Sequence, residues 1–456
     1  MTSTGSGDDQ HAVNRQGPTE KPQAHSTSGP EKPARTTRSV FLTNLFWTLL
    51  GALIGATLDA PATMLGERLV QIVKGPEARL AEAKTARAVF SEADLLASIE
   101  IYDSLARDPR ARGEALRGLS RAYADLATLR YWRGVSPIEP AERAYEYARE
   151  ALSHDSNDVE NDLALAFAYA SAELLSPTKL ATRNKVLELM AKKVDSIDLR
   201  YLAWFAKARE QDRDFYKSLS PKATEDFRIL IQGAMNLVEM AATTDDEALS
   251  ASTIRRAEEF LAQAELVSRG NTLVDFVRGY LFLELHDELE AEQSFRRAID
   301  NSVIFPRARN NLAVIYARKG DYQGAAEQLE GALRSISLAD RRTQLYNLGF
   351  TLLELGDERK SCDVWREAAG LPHADELFYA SMGLAFCSYT EESFTKAAEH
   401  FGTAVEKAKG LKIDFLDAGT FAARGAGPRE LAIARELIRL ATVPASSGLP
   451  SREPSG

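Results

Sequence analysis

The feature that most constrains this chain is a nine-residue pattern that returns at a nearly fixed interval. "AEQSFRRAI" (Ala291 to Ile299) is followed 34 residues later by "AAEQLEGAL" (Ala325 to Leu333). A step of 36 gives "SCDVWREAA" (Ser361 to Ala369), and another 36 gives "AAEHFGTAV" (Ala397 to Val405). Each copy sets down a small residue, a large apolar residue four later, and a small one three beyond that. On a helix these positions share one face. The small residues let a neighbouring helix come close, and the large one fills the space between. A helical pattern with this period predicts stacked supersecondary units.

The partner helix repeats as well. "RGYLFLELHDELE" (Arg278 to Glu290), "LAVIYARKGDYQG" (Leu312 to Gly324), "LGFTLLELGDERK" (Leu348 to Lys360) and "MGLAFCSYTEESF" (Met382 to Phe394) hold equivalent places. Each carries a small residue early, Gly279, Ala313, Gly349 and Gly383, and an apolar or aromatic one three later, Phe282, Tyr316, Leu352 and Phe386. Two copies then turn through Gly320-Asp321 and Gly356-Asp357, where glycine suits a left-handed helix end. In these positions the chain resembles the tetratricopeptide repeat (TPR) family, whose unit is a helix–turn–helix of 34 residues. "NNLAVIYARKGDYQGAAEQLEGAL" (Asn310 to Leu333) is the nearest match, and four clear units run over 272–410. The pattern departs from the family in lacking its early Trp and, at most unit ends, its Pro. The resemblance implies an all-α, TPR-like helical-hairpin solenoid that binds a protein or peptide on its concave face.

Weaker, phase-consistent units precede these. "SIEIYDSLARDP" (Ser98 to Pro109) reads as a second helix, "LSRAYADLA" (Leu119 to Ala127) as a first, and "AYEYAREAL" (Ala144 to Leu152) as its partner across a lengthened connection. "LALAFAYAS" (Leu163 to Ser171) opens the next. Degenerate hairpins are expected over 79–271, with the phase drifting after about residue 179. A loop and a capping helix, "RELAIARELIRLA" (Arg429 to Ala441), close the array over 411–442, because the last unit must cover its apolar face.

Upstream lies "SVFLTNLFWTLLGALIGATL" (Ser39 to Leu58), uncharged throughout. As a helix it measures about 30 Å, a bilayer's hydrocarbon thickness. The expectation is a single transmembrane helix over 39–58, after a polar, disordered tail at 1–38 and before an amphipathic juxtamembrane helix at 61–78. Residues 443–456 read as a second disordered tail. A cleaved signal peptide and a buried core helix are the competing readings; Ala60-Pro61-Ala62 superficially offers a cleavage site, but the apolar run is long for a signal. Lys21, Lys32, Arg35 and Arg38 before the span outweigh Arg68 and Lys74 after it. That places the N-terminus in the cytoplasm and the array on the far side of a cell membrane. Gly51 and Gly55, one turn apart, offer a groove for another span and a route to a homo-oligomer.

Composition narrows the function. A formal charge of -10 argues against nucleic acid as the main partner. The two cysteines, Cys362 and Cys387, cannot build a disulfide framework or a cysteine-based zinc site. The six histidines show no metal-ligand spacing, and no nucleophile elbow, phosphate loop or dinucleotide fingerprint occurs. No enzyme, metal or cofactor is therefore expected. Arg307, Asn310, Asn311 and Asn347 fall on or near the inner face by motif register. Amides can both donate to and accept from a peptide backbone, and Arg can pair with a carboxylate. The expectation that follows is a membrane-anchored interaction scaffold. Two alternatives stay open: a membrane effector whose span oligomerises on a signal from the array, and an enzyme with an unrecognised site in 179–269.

Overall fold

The computed structural model describes residues 75–174, 180–194, 196–207, 226–242, 247–302, 304–372, 378–409, 415–423 and 426–442. The tail, the expected span at 39–58 with Gly51 and Gly55, and most of the juxtamembrane segment lie outside these residues. Among the described residues no helix is long and apolar enough to cross a membrane. The same residues contain nineteen α-helices and no strand.

In order these are α1 (Pro76–Val89), α2 (Glu92–Leu105), α3 (Arg112–Arg133), α4 (Ile138–His154), α5 (Val159–Ala172), α6 (Leu180–Ala191), α7 (Ile197–Lys207), α8 (Phe227–Ala242) and α9 (Glu247–Val267). They continue as α10 (Thr272–Glu284), α11 (Glu288–Asp300), α12 (Pro306–Arg318), α13 (Tyr322–Leu333), α14 (Leu338–Glu354), α15 (Glu358–Gly370), α16 (Phe378–Thr390), α17 (Phe394–Lys409), α18 (Ala418–Ala423) and α19 (Pro428–Thr442). Antiparallel neighbours pair as hairpins, with α8–α9, α10–α11, α12–α13, α14–α15 and α16–α17 among the most extensive. The fold is an all-α, TPR-like helical-hairpin solenoid.

The nine-residue pattern marks what the hairpins bury. Ala291, Phe295 and Ala298, Ala325, Leu329 and Ala332, Ser361, Trp365 and Ala368, and Ala397, Phe401 and Ala404 are all buried. Their packing is a matter of matched sizes. Gly279 faces Phe295, and a Cβ placed there would stand 2.7 Å from the ring. Gly349 and Gly383 both lie against Trp365, which leaves no room for a methyl at either. Where the second helix carries the smaller Leu329, the first helix carries Ala313, and the two share one apolar cluster. The rule extends into the region of drifting phase, where a Cβ on Gly233 of α8 would meet Phe260 of α9 at 2.6 Å.

The turns inside the hairpins repeat with equal regularity. His286, Gly320, Gly356 and Glu392 all have positive φ, between 56° and 86°. At each turn the next amide reaches back to the preceding helix: Asp287 to Phe282, Asp321 to Tyr316, Asp357 to Leu352 and Ser393 to Ser388, at 2.8–2.9 Å. Asp287, Asp321 and Asp357 then cap the following helices through their carboxylates. Two turns therefore hold the left-handed geometry without glycine, at a local cost the surrounding hairpin sustains.

Two features go beyond a simple stack. One buried cluster joins α1–α3 directly to α8–α12, so the array returns on itself rather than touching only sequence neighbours. Ser268 Oγ and Asn271 Nδ2 donate to the Val89 carbonyl at 2.9 and 3.3 Å, and Phe90 lies 6.0 Å from Phe227, centroid to centroid. At the other end the two cysteines, too few for a framework, form a single bridge. Cys362 of α15 and Cys387 of α16 are disulfide-bonded with Cα atoms 5.1 Å apart, both buried. A crosslink closing a loop of this length is worth about 3–4 kcal/mol in the chain-entropy picture.

Size matching makes a sharp prediction. Gly349→Ala should cost about 1–3 kcal/mol by overpacking against Trp365, read as a lower denaturation midpoint. In a Trp365→Leu background the same change should cost clearly less. Equal costs in the two backgrounds would show that the Gly349–Trp365 contact does not set the hairpin spacing.

Candidate functional site

The last turn of α3 reaches across to α12 and α14 and is fastened there. Gly134, which ends α3 at φ 83°, accepts a 2.7 Å hydrogen bond from the Ser337 amide through its carbonyl. Ser337 caps α14 by accepting from the Asp340 amide, and its hydroxyl donates to Asp340 Oδ2 at 3.0 Å. Asp340 in turn takes the Arg307 guanidinium in a two-pronged pair, Nε and Nη2 each at 3.2 Å. The guanidinium lies over the Tyr131 ring, 4.6 Å from its centroid. A Cβ on Gly134 would stand 2.8 Å from Arg307 Cγ. Glycine is thus required there both for its left-handed backbone and for the closeness of Arg307. Beside it, Arg133 pairs with Glu92 and stands 5.9 Å over Phe305.

Arg307 and Asp340 of this fastening help to line a half-open cavity of about 430 Å³. Tyr131 and Trp132 come from α3, Gln232, Asn236 and Glu239 from α8, Phe276 and Tyr280 from α10, Arg307, Asn310 and Asn311 from α12, and Asp340, Thr343 and Gln344 from α14. Three of the four residues expected from motif register therefore line one space. The fourth, Asn347, lines a smaller cavity of about 140 Å³ with Tyr322, Phe350, Glu354 and Glu430. The two are linked by amides: Asn347 Nδ2 donates to Asn310 Oδ1 at 3.0 Å, and Asn310 Nδ2 to Asn311 Oδ1 at 3.4 Å. Motif register did not point to the α8 wall. Its signal was a polar stripe, Gln232, Asn236 and Glu239, at helical spacing within "FRILIQGAMNLVEMAA", which is apolar apart from these and Arg228.

Electrostatics give the cavity its character. Protein enclosing Glu239 pushes its carboxyl up, while Arg307 pulls it the other way. Tyr280 is likewise raised by burial and then by Glu284 and Glu239. Gln344 is buried and donates through Nε2 to the Pro306 carbonyl at 3.4 Å, but its Oε1 has no hydrogen-bond partner. Among the described residues the lining holds no histidine, cysteine, serine or lysine. Cys362, Cys387 and Glu391 stand close enough together to suggest a metal site, but both sulfurs are spent in the disulfide.

The smaller cavity is bounded by the chain's own C-terminal helix. The Glu354 carboxylate accepts from the Glu430 amide at 2.7 Å and the Arg429 amide at 3.3 Å, capping the start of α19 from α14. Arg429 Nη1 donates to the Leu353 carbonyl at 3.2 Å. The closing helix thus touches α14 and α16 as well as α17.

Apart from the cavity's lining, a buried ionic cluster that sequence reading did not pick out joins α1, α3, α7 and α8. Asp125 of α3 receives Arg87 of α1 at 2.6 Å and Arg228 of α8 at 3.4 Å. Asp198 of α7 receives Arg228 at 2.7 Å, Arg87 at 3.3 Å and Arg121 of α3 at 3.5 Å. Arg228 also lies 4.7 Å over the Tyr201 ring. Burial works against the ionised Asp198, yet Arg87, Arg228 and Arg121 outweigh it and hold the carboxyl far below the usual range. At Asp125 burial prevails over Arg87 and Arg228, and the carboxyl is raised.

Geometry of this kind defines a class, a repeat-built helical array with a polar, aromatic-walled recess. No family model matches the chain, and no curated protein matches it in sequence. Among solved structures it is similar to TTC0263, a thermophilic TPR protein of Thermus thermophilus. That match has 17% identity over 50% of this chain and 98% of the other, with a TM-score of 0.27. It is similar to human IFIT1, solved as a dimer with PPP-AAAA, at 14% identity over 80% and 95% and a TM-score of 0.44. The third is the APC/C hetero-tetramer Cut9–Hcn1, at 15% identity over 86% and 84% and a TM-score of 0.35. Likenesses so distant carry no argument of their own; the chain is TPR-like by its own hairpins, turns and period.

The ionic cluster predicts how stability depends on sequence and pH. Asp198, depressed in the fold, contributes stability that is present above the ordinary carboxylate range and lost as pH falls below about 4. Asp125, raised in the fold, has the opposite linkage, and its ionisation at neutral pH costs stability. Asp198→Asn should therefore cost about 3–5 kcal/mol at pH 7, as when a buried pair is broken, and Asp125→Asn less. Urea midpoints of both variants between pH 3 and 7 check this. A larger loss for Asp125→Asn at pH 7 would reverse the assignment.

Proposed function

We propose that this chain is a membrane-held recognition protein whose TPR-like array binds a protein or peptide partner on its inner face. The observation that carries the reading is the continuous polar surface of Asn347, Asn310, Asn311 and Arg307, with its amides joined by hydrogen bonds and opening onto a recess of about 430 Å³. That volume falls in the range of sites that seat ligands, roughly 300–1,000 Å³. Amides already engaged with one another can rotate to meet a backbone at small cost, because each retains donors or acceptors. We assign no reaction to the site. Anchoring is proposed through residues 39–58, with the N-terminus in the cytoplasm and the array across a cell membrane, on the strength of the uncharged run and the excess of Lys and Arg before it.

Two experiments test this. Proximity labelling with the full-length chain in membranes should recover partners that an Asn311→Ala/Asn347→Ala variant loses several-fold; identical partner lists would remove these residues from the interface. Alkaline extraction should leave the full chain in the membrane pellet and release a variant lacking 39–58. Release of both would end the anchoring proposal.

A second reading is favoured by the spacing of Gly51 and Gly55, which would let the span assemble and turn the array into the sensor of a membrane effector. Replacing both glycines with Ile should then abolish in-membrane crosslinking of the full chain. Unchanged crosslinking would leave the span as a tether.

A further inference from the structure

The amide surface of Asn310, Asn311 and Asn347 does not end at those residues. Along α14, Thr351 and Glu354 follow Asn347 by four and seven positions, and along α12, Val314 and Arg318 follow Asn311 by three and seven. Such spacings keep to one helix face. The smaller cavity, which Asn347 and these four residues line, is therefore a continuation of the amide surface. One of its walls belongs to no repeat unit. Ala426, Gly427 and Glu430, where the chain enters α19, stand against it.

Three observations mark this contact as that of a seated, removable ligand. First, α14 receives the segment through polar groups. The Glu354 carboxylate accepts from the Arg429 and Glu430 amides, and the Leu353 carbonyl accepts from Arg429 Nη1. Amides at a helix start have no partner within their own helix, so the carboxylate of another unit meets them as a cap. Secondly, the approach is fitted to glycine. A Cβ on Gly427 would collide with the Glu354 carboxyl group and force it out of its capping position. Thirdly, little apolar surface holds the helix down. In α19 only Ala434 and Leu437 are buried, against five side chains in α17 before it. Elements with so few buried apolar groups open at a free energy well below that of global unfolding.

We propose that residues 426–438 are an autoinhibitory ligand: they occupy the end of the amide surface, and a partner reaches that end by displacing them. The kind of partner follows from what is displaced. It is an amphipathic helix that presents its unpaired first amides to Glu354 and apolar side chains at the spacing of Leu431, Ala434 and Leu437, which pack on the cluster around Phe350 and Phe386. A seated segment of the same chain lowers the apparent affinity of a free competitor by the fraction of chains in which the surface is open. The proposal rests on the recognition reading of Asn347, and it adds the regulation of that surface and the form of what it takes.

The test uses the full-length chain in detergent micelles and, as its probe, the labelled peptide "AGPRELAIARELIRLAT" (residues 426–442) with both ends blocked. Gly427→Ala together with Arg429→Ala loosens α19 and leaves the surface beneath it untouched. Amide exchange of α19 is expected to quicken several-fold while that of α14 holds. The probe should bind the loosened chain about tenfold or more tighter than the natural one, and Glu354→Ala in the loosened chain should abolish that increase. Proximity labelling in membranes should recover several-fold more partner from the loosened chain. Melting midpoints report on folding; if the double variant lowers the midpoint of the whole array, Arg429→Ala alone is read, its side chain being half-exposed. Unchanged exchange in a folded variant overturns the proposal. Faster exchange without tighter probe binding does so too, as does tighter probe binding without added partner. The outcomes separate from those of the recognition reading. Partners lost from the Asn311/Asn347 variant, with none added on loosening, would keep the recognition surface and reject its inhibition. Partners added on loosening, with none lost from the Asn311/Asn347 variant, would keep the inhibition and remove those amides from recognition.

Discussion

Two buried aspartates facing two shared arginines hold the position of everything that matters in this protein. Asp125 and Asp198 come from α3 and α7, Arg87 and Arg228 from α1 and α8, so one ionic cluster draws four helices together across the interval from residue 87 to residue 228. Charges removed from water are costly unless each is met, and here each carboxylate meets both guanidiniums. The cluster settles where α8 lies relative to α3. The polar stripe of α8 and the end of α3 both line the recess, together with α10, α12 and α14. A hydrophobic contact could supply comparable energy, but it would tolerate sliding. An ion pair with fixed donor directions does not.

Beyond the cluster, order in the array comes from a trade of volumes between paired helices. Glycine stands where the neighbour offers Phe295, Trp365 or Phe260, and Ala313 where it offers Leu329. Interiors packed at crystal-like density leave no slack for a mismatch, so each unit specifies its own spacing. The turns add a second constraint, repeated at His286, Gly320, Gly356 and Glu392 with the same backbone geometry and nearly the same interval.

What was legible in the sequence follows from these causes. Periodic small and large residues report on neighbours a few turns away, so the hairpins around Phe295, Leu329, Trp365 and Phe401 could be read directly, as could the closing helix. Register along that period also brought Arg307, Asn310 and Asn311 to one surface. The contacts that close the recess left no such trace. Gly134 meets Ser337, and Arg87 meets Asp198, over separations far longer than any repeat, and neither pair has a local pattern to announce it. Gln344 and Glu239 look like ordinary helical polar residues until α3 comes to lie beside them. The disulfide was hidden for a different reason: Cys362 and Cys387 are only 25 residues apart but sit in different units, and a pair of cysteines has no spacing rule of its own.

The fastening of α3 onto α14 also governs how such a chain can change over time. An open solenoid grows or shrinks by whole units, because each new unit finds the same neighbour. Here Gly134 must arrive at Ser337 after the helices α4 to α13 have been traversed. Adding or deleting a hairpin in that interval would alter the circumference and carry the two ends past each other. Duplication, the ordinary route by which repeat proteins diversify, is therefore constrained between α4 and α13 and freer from α15 onward.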